Sequence, residues 1–79
     1  MPSKNIRKDR QFAIAEYAVL VCDRDEAFQK MQAGDENQSG VFEWLSEQVI
    51  EWNARCADLG VEHEAQIRAG RLAAKRAKV

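Results

Sequence analysis

Proline is all but missing from this chain; the only one is Pro2. From the third residue on, no ring closure obliges a helix to break. Glycine occurs four times, at Gly34, Gly40, Gly60 and Gly70, too thinly for a phosphate-cradling loop. Histidine occurs once, as His63, and cysteine twice, as Cys22 and Cys56. These three share no metal-ligand spacing, no CxxC is present, and HEAQ at 63–66 lacks the second histidine of a zincin helix. No metal and no cofactor is therefore expected. Ser3, Ser39 and Ser46 read as caps or surface residues, and no nucleophile is marked by a paired base. The chain reads as a non-enzyme with no small-molecule substrate. No apolar run approaches the ~20 residues of a spanning helix, so a membrane is not an expected partner. The charged start MPSKNIRKDRQ lacks the apolar segment of a secretory signal. The expected location is the cytoplasm, where both thiols stay free.

What the chain does have is apolar helix. Ten of the eleven residues in FAIAEYAVLVC, Phe12 to Cys22, are apolar, Glu16 being the exception. A surface helix of a small domain carries one apolar stripe, and this segment carries two. Seventy-nine residues make a single domain, residues 1–79, and a domain so short hides only ~60% of its unfolded surface. The excess apolar surface points to association with another chain.

Three helical patterns are expected, at about 9–33, 41–59 and 62–77, with 1–8 and 34–40 irregular. Asp9 is the candidate N-cap of the first, since an earlier start sets Lys4, Arg7 and Lys8 against the positive end of the helix dipole. A break near Asp23 is a second option. Gly34 suits a C-terminal stop, Ser39 or Gly40 a new start, and Leu59-Gly60-Val61 a Schellman ending. Glu62 and Glu64 open the third helix, and Lys75 and Arg76 close it, matching the dipole at both ends. The expected fold class is all-α: a small three-helix bundle, or a helical hairpin plus C-terminal helix, completed by dimerisation.

The helix faces name the candidate surfaces. Val41, Leu45, Val49, Trp52, Cys56 and Leu59 fall within an arc of about 80° and form the expected core stripe of the second helix. Trp44 and Ile50 lie off that stripe and border an acidic ridge of Glu43, Glu47 and Glu51; these five are the candidate protein-binding residues. On the first helix, Ala13, Ile14, Tyr17, Leu20, Val21, Phe28 and Met31 are expected against the second helix, with Arg24 reaching to the edge. Nearly opposite, Phe12, Ala15, Val19 and Cys22 follow a 3, 4, 3 spacing. They form the candidate oligomer seam, covered by the third helix or by a two-fold copy of itself. The third helix offers few large apolar residues, so the second chain is preferred.

Charge is unevenly placed. Residues 23–64 hold eleven acids against Arg24, Lys30 and Arg55, while after position 64 there are five bases and no acid. Arg68, Arg71, Lys75 and Lys78 share an arc of about 80° and are the candidate nucleic-acid contacts. No stacking aromatics or helix-turn-helix signature accompany them, so a solvated face, or a partner for the acidic ridge, is preferred.

Short catalytically empty chains include accessory factors that phages and plasmids direct at a host protein. The expected function is of that kind: binding, and so modulating or inhibiting, another protein. The alternatives are a small nucleic-acid-associated protein using its basic C-terminal helix, and a structural subunit of a larger assembly.

Overall fold

Two glycines set the path of the chain. Gly34 (φ +102°) and Gly60 (φ +74°) occupy the left-handed region that side chains with a Cβ avoid. Each ends a helix in a Schellman arrangement. After the first helix, the Asp35 amide donates to the Lys30 carbonyl and the Gly34 amide to Met31. After the second, the Val61 amide donates to Cys56 at 2.8 Å and the Gly60 amide to Ala57. Val61 folds back and is buried beside Cys56.

The computed structural model describes residues 6–78, which form three helices: α1 (Ile6–Gln32), α2 (Gln38–Asp58) and α3 (Glu62–Ala77). Two starts differ from the sequence reading. Asp9 is not an N-cap but lies within the first turn of α1, and Ile6, Arg7 and Lys8 are helical. Without a breaker there, the dipole cost of exposed bases, about 0.3–1 kcal/mol each, does not outweigh another turn of hydrogen bonds. The rest of the expected irregular start, with Ser3 and Lys4, lies outside the described residues. α2 begins at Gln38, before Ser39 and Gly40, with Asn37 as cap residue and no side-chain cap bond. Asp35 holds this entry, its carboxylate accepting the Asn37 amide and its carbonyl the Gln38 amide. α1 runs through Asp23 without a break.

α1 lies between the other two helices. α2 runs antiparallel to it: Cys56 packs by Ala13, and Leu45 and Val49 by Leu20 and Ala27. α3 runs parallel to it, from Ala65 beside Ile14 to Arg76 beside Asp23 and Glu26. α2 and α3 make few contacts with each other, and Cys56 and Ala65 come together beside the Gly60 turn. The result is a flat arrangement, 49 × 27 × 15 Å.

α1 is buried on two sides. One meets α2 through Ala13, Leu20 and Ala27; the other meets α3 at Ile14, which was expected against the second helix, and at Cys22, with buried Ala18 between them, so of the expected second stripe only Cys22 is covered by α3. Ala65 packs in one cluster with Ile14, and the Ala69 carbonyl meets the Cys22 thiol, so a helix poor in large residues can still pack closely there. The Cys22 thiol donates to the Ala69 carbonyl at 3.7 Å, and the Cys56 thiol to the Ala13 carbonyl at 3.5 Å. Both thiols are free and buried, and burial pushes both above the usual thiol range.

Three core expectations are corrected. Cys22 is not available to a second chain, because α3 covers it. Val41 is exposed, since it sits about 60° from the line of Leu45, Val49 and Cys56 that α2 buries. Phe28 is also exposed, although its ring lies 5.6 Å from that of Phe42.

Candidate protein-binding surface

The α1–α2 crevice opens on one side of the layer, and large apolar side chains line it there. On α1, Phe12, Val19, Asp23 and Lys30 fall within about 40° of one another. On α2, Val41, Trp44, Gln48, Trp52 and Arg55 fall within about 80°. Phe12 is 59% exposed and Trp44 56%, and Val19 and Val41 are exposed beside them. Trp52 is half-buried, edge-on to Phe12, with the Arg55 guanidinium 4.5 Å above its ring.

Two shallow grooves lie along this crevice. The first, about 410 Å³, runs between Phe12, Trp52, Arg55 and Leu59, with Asp9 and Asp58 at its rim. The second, about 310 Å³, is walled by Val41, Trp44 and Leu45 of α2 and by Asp23, Glu26, Ala27 and Lys30 of α1. An open groove with aromatic walls and charged rims has the make-up of a docking surface for a helix or an extended segment.

The expected site residues are thus redistributed. Phe12, Ala15 and Val19 remain exposed as the seam required, while Cys22 leaves it for α3. Trp44 stands with Val41 on the same side of the layer as Phe12, at the other end of the α1–α2 crevice, and the two grooves share no lining residue. Ile50 is not part of this face. It lies about 120° from Trp44 around α2 and is 71% exposed on the outer side. Glu43, Glu47 and Glu51 are exposed between them, and Glu51 pairs with Arg55 at 2.9 Å. Arg68, Arg71, Lys75 and Lys78 are exposed on α3 and make no ion pair among the described residues.

Sequence reasoning missed three contributors. Val41 and Trp52 sit on the rim of the core stripe, where periodicity alone does not separate buried from half-buried. Arg76 lies outside the basic arc, yet it joins α3 to α1 through Asp23 at 2.9 Å and Glu26 at 2.6 Å. The 4, 4 spacing of Ile14, Ala18 and Cys22 was the available signal for the α3 contact.

Among the described residues no group of histidine, cysteine and carboxylate side chains is arranged to hold a metal ion, and no helix is long and apolar enough to cross a membrane. The chain matches no protein-family model, no curated protein and no solved structure.

Proposed function

We propose that this chain works without catalysis, by binding another protein along the α1–α2 crevice and thereby modulating or inhibiting it. The observation that carries this reading is the exposure of Phe12, Val19, Val41 and Trp44 along one side of the layer. A few residues, among which tryptophan is enriched, carry most of the binding energy at protein interfaces. Phe12 and Trp44 are the anchors, and Val19 and Val41 fill between them. Glu43, Glu47 and Glu51 flank Trp44 and favour approach of a basic partner, an effect on association rate that salt weakens.

The test compares capture of cell proteins by the immobilised chain and by two variants. A specific partner held by the parent should be lost with Phe12→Ala/Trp44→Ala and kept with Ile50→Glu, while circular dichroism stays unchanged. Equal capture by the double variant removes the crevice from consideration. A second reading is a two-fold dimer through the same face, favoured by the seven-residue spacing of Phe12 and Val19, both left exposed. A salt-resistant dimer that Phe12→Ala/Trp44→Ala dissociates would identify it.

A further inference from the structure

Opposite charges stand on the two outer helices of the layer, acid on the outward pole of α2 and base along a strip of α3 whose Arg68 and Arg71 also border Gln11 and Ile14 of α1. On α2, the exposed Glu43, Glu47, Glu51 and Asp58 lie within about 40° of the pole facing away from Leu45, Val49 and Cys56. On α3, the exposed Arg68, Arg71, Lys75 and Lys78 form a strip turned about 120° from buried Ala65 and Ala69. α1 separates the two. No ion pair among the described residues joins α2 to α3; the α3 base that does pair, Arg76, is held by Asp23 and Glu26 of α1. Glu64 sits at the first turn of α3, in the shallow groove that Arg68 and Arg71 also line, and leaves the strip strongly basic. The acidic ridge and the basic strip therefore cannot satisfy each other within one molecule.

They match between molecules. Glu43 to Glu51 spans about 12 Å of helix and Arg68 to Lys78 about 15 Å, at the usual rise per residue. Each edge also carries an exposed isoleucine beside its charges, Ile50 on α2 and Ile67 on α3, the latter 43% exposed. We propose that the α3 edge of one copy docks on the α2 edge of a second copy, head to tail. A two-fold contact through either edge would set acid on acid or base on base, so the complementary arrangement is the heterologous one. Such a contact leaves one acidic and one basic edge free and extends into short chains or a ring. It uses neither Phe12 nor Trp44, the anchors of the crevice reading, and shares with that reading only the acidic ridge of Glu43, Glu47 and Glu51.

The test is the weight-average mass of the full chain by light scattering or sedimentation, at about 0.05 M and about 0.5 M salt, where screening differs severalfold in range. At low salt the mass should exceed one chain and grow with concentration; at high salt it should return to one chain. Glu43→Lys/Glu47→Lys/Glu51→Lys and Arg68→Glu/Arg71→Glu/Lys75→Glu should each run as one chain, and mixing the two should restore association. Circular dichroism checks that both variants are helical; if either is not, the salt series on the parent chain decides. A one-chain mass at low salt overturns the proposal. So does a dimer indifferent to salt and charge reversal, which would assign association to the Phe12 and Val19 face. A salt-sensitive shift of a short oligonucleotide, lost in the Arg68 variant while the parent stays at one-chain mass, would assign the basic strip to phosphates instead.

Discussion

The rings of Phe12 and Trp52 meet edge to face, with centroids 5.6 Å apart and planes at 65°. Phe12 keeps more than half its surface in water while doing so, and Arg55 covers the Trp52 ring. The contact ties the first turns of α1 to the last turns of α2 without closing over either ring. An edge-to-face pair contributes about 0.5–1.5 kcal/mol beyond area burial, whereas deleting a buried leucine side chain costs about 2–5 kcal/mol. Phe12→Ala should therefore lower unfolding stability by about 1 kcal/mol, and Leu45→Ala by more than twice that. Urea titrations followed by circular dichroism compare the two; equal losses would mean that Phe12 belongs to the core.

Gly70 sits inside α3 with helical backbone, and a Cβ built there meets nothing within 4 Å. Gly70→Ala should raise stability by about 1 kcal/mol. Gly60 also has room for a Cβ, yet its φ of +74° penalises one, so Gly60→Ala should lower stability by about 1 kcal/mol. The opposite signs, read as shifts of the thermal midpoint, separate open space from permitted backbone.

Burial raises both thiols, and Glu62 adds to the effect at Cys56. At Cys22 the rise comes from burial first; Arg76 opposes it, and Asp25, Asp23 and Glu26 reinforce it. In the unfolded chain the thiols lose their protons around the ordinary value of 9.0. Folded, they hold them to higher pH, so above that value the unfolded state binds fewer protons and stability declines. Stability from the two thiols should be fully present below pH 9 and fall as pH rises beyond it. In a Cys22→Ala/Cys56→Ala variant this alkaline decline should flatten. At neutral pH a thiol-alkylating reagent should modify the native chain far more slowly than the urea-unfolded chain.

Arg76 joins α3 to two carboxylates of α1 near the end farthest from the Gly60 turn. Nothing described ties that end of α3 to α2. Arg76→Gln should increase amide hydrogen exchange in the last turns of α3 while leaving the segment around Ala65 protected. Uniform protection along α3 in this variant would mean that the alanine packing alone holds the helix down. The difference between variant and parent should shrink in high salt, as for any partly exposed ion pair.

The helices were legible because their signals are local. Periodicity, the stop glycines and the charged turns placed α3 at its observed ends, a helix stop at Gly34 and a Schellman ending at Gly60. The start of α1 was not legible, because the dipole cost before Asp9 competes with backbone hydrogen bonds that leave no mark in the sequence. The candidate surface was legible only in pieces. Trp44 and Ile50 look like one site along the helix, but angle and neighbour decide otherwise: Trp44 borders α1, and Ile50 faces outward.

By itself the sequence determined that the chain is helical, where glycine stops it, which residues are too apolar for water, and that acid and base are segregated along its length. All of these follow from spacing and side-chain chemistry within a few residues. Only the tertiary structure decided that α1 stands in the middle. That single fact hands Cys22 to α3, sets Phe12 and Trp44 on one side of the layer, and parts the acidic ridge from the basic strip. The physical reason is that packing geometry between helices depends on how closely their backbones approach. The alanines that let α3 approach α1 carry no periodic mark strong enough to be read from the chain alone.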